Sequence, residues 1–373
     1  MRRIGVGELR ISAKARANLS NAVASNRLTA GRWTKQFEGD FARRHGRAFA
    51  LFVNSGTDAL RVGLAAMKEQ GGWRHDARVA VPAVTFVATL NVVRQVGLQP
   101  YLVDIETEHF GMDQSLIPDD IVAAVPVNLF GHVNPASRSL AASKVRTLTD
   151  SCQTVGMAGC ADGDVSAFST YAAHILTTGV GGLSTTNDPE LAALMRSYAN
   201  HGRSGIYTGI DQELGSVEVI EARFHFERKG YSSRATELEA AIGCAELSDL
   251  DENLAARRRN AAALSWGLLD CPVVTPRWDN DDSAWMMWPI LTEDRATRDR
   301  LVQHLEENGI ETRPLLPLTN QPYVRKMFKQ NLDDLLPVAH RVNETGFYIG
   351  CHQYLDADDT DYICEVFESF DWR

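Results

Sequence analysis

The sequence predicts an α/β protein in which a large domain built on a mostly parallel sheet is followed by a smaller α+β domain. Three observations predict it. The chain has 373 residues, more than one compact core usually holds. Between about 47 and 187, short runs of β-branched and aliphatic residues alternate with helical patterns, as parallel strands joined by helices do. Beyond Pro272 that alternation gives way to a mixed order of strands and helices.

In chain order, strands are expected at 48–53, 79–82, 101–105, 121–127, 145–149, 165–171 and 182–186. A long helical stretch then covers 236–269, with Leu238, Ala241, Ile242 and Ala245 at the spacing of one helix face. It serves as the bridge out of the large domain, and the boundary is set between residues 1–262 and 263–373. The second part reads as a strand at 284–291, a helix at 295–308, strands at 310–315 and 347–351, and a helix at 360–370. No internal repeat or low-complexity stretch interrupts the chain.

Hydrophobic residues make up 44% and charged residues 23%, an ordinary globular balance. A formal net charge of -10 gives a field that repels nucleic acid and anionic membrane. Arg257, Arg258 and Arg259, beside Glu252, read as a solvated helix face rather than a nucleic-acid patch. The six cysteines are scattered without C-x-x-C or zinc spacing, so neither disulfides nor a metal site is expected. No apolar run follows the first eight residues, and none anywhere reaches the ~18 positions of a membrane span. A soluble protein of the reducing cytoplasm is expected, without nucleic-acid or membrane partners.

Three constellations carry chemistry. Asn54-Ser55-Gly56-Thr57-Asp58-Ala59-Leu60 follows a strand and opens a helix, where backbone N–H groups and the positive dipole end suit a phosphate; plain capping by Ser55 or Thr57 explains it equally. Asp150-Ser151-Cys152-Gln153 stands at the carboxyl end of a strand, where open α/β sheets bind ligands. Asp150 could there pair with a protonated ring nitrogen, or simply cap a helix. In Ser169-Thr170-Tyr171-Ala172-Ala173-His174 the strand ends at Tyr171, and Gly179, Gly181 and Gly182 allow a tight return. A lone histidine there is either a proton carrier or a structural residue.

These motifs, with Val81-Pro82-Ala83-Val84-Thr85-Phe86-Val87-Ala88-Thr89, Gly230-Tyr231-Ser232-Ser233-Arg234-Ala235-Thr236-Glu237, Ile310-Glu311-Thr312-Arg313-Pro314 and Tyr348-Ile349-Gly350-Cys351-His352, occur in the order seen in the DegT/StrS sugar aminotransferase family. The chain resembles that family along nearly its whole length. The resemblance implies the transferase fold of type I that binds pyridoxal 5′-phosphate (PLP). Family members hold the PLP aldehyde on a lysine, and the matching place is taken by His174. A subset with histidine there consists of nucleotide-sugar 3-dehydratases.

The resemblance implies a non-covalently held cofactor, pyridoxal or pyridoxamine phosphate, with His174 as acid and base. It puts the phosphate on Gly56, Thr57, Asp58 and Ser169, the ring under Phe86, the ring nitrogen on Asp150 and the ring hydroxyl on Gln153. It also implies a homodimer with shared sites, Ser232 and Arg234 reaching across. Ser232 stands where an asparagine is usual, Ala172 where a proline is common and Val180 where an acidic residue is. His201, Arg234 and Arg313 are candidates to touch a sugar nucleotide, although surface ion pairs explain such arginines too. The stretch 205–228 matches no part of the family pattern and is expected as a loop near the sugar.

The reaction implied is loss of the C3 hydroxyl from a nucleotide-linked 4-keto-6-deoxyhexose. One dehydratase branch carries an iron–sulfur cluster on closely spaced cysteines; no cysteine here has a neighbour within two positions, which favours the cluster-free type regenerated by an amino-acid amine donor such as glutamate. Two alternatives stand beside it: amine transfer by an aminotransferase-like enzyme despite His174, on a sugar or another substrate, and a non-catalytic binding protein that has lost its lysine. Keeping Asp150, Gln153 and Ser169 argues against the last.

Overall fold

Short strands, most of them five residues long, build the frame. A computed structural model describes residues 2–203, 217, 221, 224–276, 278–279 and 283–373. The strands are β1 (Phe49–Val53), β2 (Arg78–Pro82), β3 (Gln99–Val103), β4 (Ala123–Ala124), β5 (Arg146–Asp150), β6 (Val165–Ser169), β7 (Gly182–Thr186), β8 (Met287–Leu291), β9 (Thr312–Pro314) and β10 (Gly346–Gly350). The first seven form one sheet in the order β1-β7-β6-β5-β4-β2-β3. β3, β2, β4, β5 and β6 run parallel. β7 is antiparallel to both of its neighbours, which leaves β1 parallel to the rest. The expected mostly parallel sheet is present, with one reversed strand.

Helices α1 (Ala13–Ala24), α2 (Arg32–Arg44), α3 (Gly56–Gln70), α4 (Val87–Gln95), α5 (Pro135–Ala141) and α6 (Pro189–Ala199) connect or flank these strands. α2 shows why the core holds. Trp33, Phe37 and Phe41 fall on one face at i, i+4 and i+8. Phe37 meets Phe52 of β1 edge-on with centroids 5.0 Å apart, and Phe41 meets Phe168 of β6 at 5.0 Å, a geometry aromatic quadrupoles favour. The amino end of α2 lacks a side-chain cap of its own. Glu237 supplies one from afar, accepting the N–H groups of Gly31, Trp33 and Thr34 at 2.9, 2.9 and 2.8 Å.

The helical stretch expected at 236–269 is two helices, α7 (Glu237–Ser248) and α8 (Leu250–Gly267), which meet at Asp249. Thr236 opens α7 with a reciprocal capping box to Glu239. The boundary set between 262 and 263 falls inside α8. β8, β10 and β9 form a separate antiparallel sheet, and Ile4 bridges Ile310 in parallel, so the first residues run with the C-terminal part. Among the expected strands, 121–127 keeps a ladder only at Ala123–Ala124 beside an isolated bridge from Val127 to Asp150, and 310–315 only at Thr312–Pro314 beside the Ile310 bridge. Pro126 and Pro314 cannot donate to a ladder, which limits pairing there. Most of the stretch 205–228 lies outside the described residues. Among the described residues no helix is long and apolar enough to cross a membrane.

Candidate active site

The carboxyl ends of β1, β2, β5 and β6, with the start of β7, meet at one edge of the large sheet, the edge where open α/β sheets bind ligands. A cleft of about 440 Å³ opens there. Its floor includes Asn54, Gly56 and Thr57 after β1, Asp150, Cys152 and Gln153 after β5, and Ser169 and His174 after β6.

Close approach fixes two residues as glycine. A Cβ on Gly56 would stand 2.8 Å from the Cβ of Ser169 and 2.9 Å from Sγ of Cys152. A Cβ on Gly182 would stand 2.5 Å from the Ser55 carbonyl carbon and oxygen. Without side chains at these places the start of α3 settles onto β6 and β7.

Ser55 caps α3, its hydroxyl accepting the Asp58 N–H at 3.1 Å and its carbonyl the Ala59 N–H at 2.9 Å. The N–H groups of Gly56 and Thr57 come before those bonds and face the cleft end of the helix dipole. Asp58 does not line the cleft. Its N–H is taken by Ser55, and its buried carboxylate pairs with Arg61.

Asp150 is 4% exposed. Its Oδ2 accepts the hydroxyl of Thr89 at 2.7 Å and its Oδ1 the N–H of Cys152 at 3.1 Å. Thr85 completes the line, 2.8 Å from the Thr89 hydroxyl. Burial pushes the Asp150 carboxyl above its ordinary range, against the hydrogen bonds that favour the charged form. Gln153 accepts the Phe130 N–H through Oε1 at 2.7 Å, which fixes its amide and leaves the NH₂ end to donate. Phe86 is 58% exposed with its ring at the cleft, a large apolar face without protein cover.

His174 sits in the turn after β6, its N–H bound to the Tyr171 carbonyl at 2.9 Å, and the two rings meet edge-on at 6.0 Å. The Nδ1 atom is buried without a hydrogen-bond partner. Burial, then the charge of Arg257, lower its pKa to about 4, so the ring is neutral at pH 7.

The other residues singled out in the sequence lie apart from this cleft. Ser232, Arg234 and His201 form their own cluster, with Nη2 of Arg234 3.1 Å from the Ser232 hydroxyl and 3.2 Å from Nε2 of His201. Arg234 lines a second hollow with Asn200, Lys35 and Arg196. Arg313 donates to the Thr312 carbonyl at 2.8 Å and pairs with Glu311.

Sequence reasoning missed the apolar wall opposite the floor: Val6, Met286, Met287 and Leu316. Trp285 and Leu316 take left-handed backbone at φ 47°, which swings these segments to the cleft and leaves no mark in an apolar pattern. It also misread Arg257, which is buried at 2% exposure rather than solvated. A signal existed. Leu250, Leu254, Arg257, Ala261 and Leu264 share the buried face of α8 at helix spacing.

Comparison with known proteins agrees with this architecture. A family model described as the DegT/DnrJ/EryC1/StrS aminotransferase family matches residues 10–368. The chain is 27% identical over 372 residues to the GDP-4-keto-6-deoxy-D-mannose 3-dehydratase of Escherichia coli O55:H7, covering 93% of this chain and 95% of that protein. It is 30% identical over 350 residues to the GDP-perosamine synthase of Caulobacter vibrioides, covering 89% and 88%. Among solved structures, E. coli GDP-4-keto-6-deoxy-D-mannose-3-dehydratase with bound hydrated PLP shares the fold at a TM-score of 0.89 and 24% identity, over 98% of this chain and 100% of that one.

Proposed function

Because the chain belongs to the DegT/DnrJ/EryC1/StrS aminotransferase family, we propose that it works with pyridoxal or pyridoxamine phosphate as a lyase, removing the C3 hydroxyl of a nucleotide-linked 4-keto-6-deoxyhexose. The observation that carries the reading is the cleft lining. It has an imidazole at His174 and, among the described residues, no lysine. An amine in that place would tether an aldehyde and help pass on an amino group. Imidazole forms no stable imine yet still moves protons.

The residues present suit such a cofactor. When bound, the pyridoxamine form supplies a primary amine and a ring that withdraws electrons from the sugar. The N–H groups of Gly56 and Thr57, with the Ser169 hydroxyl, would hold its phosphate. Asp150, buried and reluctant to stay charged alone, gains a partner in a protonated ring nitrogen. The NH₂ of Gln153 would be left to donate to the ring hydroxyl, and Phe86 would gain the cover it lacks.

The His174 ring, which lines the cleft, would accept a proton; its Nδ1 atom is buried without a hydrogen-bond partner. With a pKa near 4 the ring holds that proton weakly and passes it readily to a departing hydroxyl. The apolar wall of Met286, Met287 and Leu316 would keep water from the reacting atoms. In a homodimer, Ser232, Arg234 and His201 of one chain would serve the cleft of the other. Arg313 is a further candidate contact for the nucleotide sugar.

The test is incubation with pyridoxal phosphate, glutamate as amine donor and a panel of nucleotide-linked 4-keto-6-deoxyhexoses, followed by mass spectrometry. We expect loss of one water and, after borohydride, no cofactor attached to the chain. Gain of an amino group without loss of water would favour amine transfer instead, the reading that the similarity to a GDP-perosamine synthase supports. No change across the panel would point to a binding role.

A further inference from the structure

A buried hydroxyl is harder to place than a methyl, and valine has the shape of threonine without the polar atom. Two threonines nonetheless stand together beside the cleft. Thr85 is 1% exposed and Thr89 0%, with the apolar neighbours Val84 and Leu90 fully buried as well. Both belong to the turn that carries Phe86. Thr85 precedes it, and the Thr89 N–H reaches the Phe86 carbonyl at 3.2 Å in the first turn of α4.

Their hydroxyls form a directed pair. Thr89 has one hydroxyl proton and gives it to Oδ2 of Asp150 at 2.7 Å, so toward Thr85, 2.8 Å away, it must accept. Two hydrogen bonds therefore point the same way, from Thr85 to Thr89 to Asp150, and aligned bonds strengthen one another in a low-dielectric interior. The carboxylate at the end of that line also takes the Cys152 N–H on Oδ1 at 3.1 Å. Its two oxygens offer about four acceptor sites, which leaves room for a donor from the cleft. Burial raises the Asp150 pKa, and the Thr89 hydroxyl is first among the bonds that lower it. The other titratable side chains of the lining are Cys152 beside it, His174 and Tyr171 after β6, and Tyr348 of β10. Among the described residues the lining has no second carboxylate and no lysine or arginine, so Asp150 is the acid there that can meet a positive ring nitrogen.

We infer that Thr89, aligned by Thr85, is a positioning residue for the cofactor: its hydroxyl holds Asp150 as a carboxylate and thereby keeps the shared proton on the cofactor's ring nitrogen instead of on the acid. The inference rests on Asp150 being the partner of that nitrogen in the proposed site. Without the hydroxyl the carboxylate oxygen would be a stronger base, and the proton would shift across to it. A ring nitrogen that loses its proton withdraws electrons less, so the loss would reach the chemistry although neither threonine lines the cleft.

The test uses the full-length protein bound to pyridoxamine phosphate with nitrogen-15 in the ring, whose resonance tells a protonated from a bare nitrogen. In the parent it should sit at the protonated position. In Thr89→Val it should move toward the bare one, since about one pKa unit of change at the carboxyl alters the ratio of the two forms about tenfold. The dissociation constant should rise by about the same factor, the scale of a lost bond to a charged group. Thr89→Ser keeps a hydroxyl and should restore both, and Thr89→Ala is the second hydroxyl-free variant should Thr89→Val not fold. A role in packing alone would weaken binding and leave the resonance in place, and that result would overturn the inference. Asp150→Asn separates the two readings. If it moves the resonance and Thr89→Val does not, the inference falls alone; if neither does, the assignment of Asp150 falls with it. No sugar is present, so the outcome stands apart from whether the protein dehydrates one.

Discussion

Replacing an amine by an imidazole alters both how an aldehyde cofactor is held and what becomes of the proton beside it. The cleft tests this directly, because His174 is among its lining residues. In His174→Lys the cofactor should become linked to the chain, with an imine absorbance and a borohydride-stable adduct, and dehydration should fall roughly 100-fold, the usual scale of a lost acid–base group. Dehydration at the parental rate would remove His174 from the mechanism. At this scale the sequence was legible where a residue type has a chemical reason to stand at a strand end. Gly56, Asp150, Gln153 and His174 are examples, and all four line the cleft. It was less legible where geometry decides. Asp58 lies one residue past Thr57, yet the first turn of α3 carries it away from the cleft to Arg61.

Elements hold one another in place through caps as well as cores. Glu237, at the first position of α7, serves as the missing cap of α2 and binds those two helices together. Burial alone would raise its pKa, but the hydrogen bonds of Thr34, Trp33 and Gly31 outweigh it and hold the carboxyl below 4.5. A depressed carboxyl stabilises the fold above its unfolded pKa, and that contribution is lost as pH falls through the folded value. Glu237→Gln should therefore cost about 2 kcal/mol in urea unfolding near pH 7, with the gap to the parent narrowing below about pH 4. A gap that does not change with pH would mean that the carboxylate charge contributes nothing. The sequence marked this element through the helix-face spacing of Leu238, Ala241, Ile242 and Ala245, but not the distant duty of Glu237. Nor did it show the break at Asp249, since Leu250 resumes an apolar face after one residue and periodicity reads straight through.

At the scale of the molecule, the fold class was readable because the first strands of the large sheet, β1 to β3, are short, largely apolar runs that alternate with helices α3 and α4. The order of the strands was not, since period-two and period-3.6 patterns say nothing about which strands become neighbours. The apolar wall of the cleft was hidden for a related reason: all of it but Val6 comes from the C-terminal part of the chain, next to left-handed backbone at Trp285 and Leu316. The reversed strand β7 carries a consequence for how the protein is made. Among the described residues β7 is the one strand beside β1 in the sheet, with Phe49 opposite Thr186, so the ribosome must deliver well over a hundred residues before the first strand can dock. Contacts this remote in sequence slow folding and leave raw edges open to other chains. A fragment ending at residue 180 should scatter light on dilution from urea while the full chain refolds clear. A soluble, monomeric fragment would mean that some earlier segment shields those edges during synthesis.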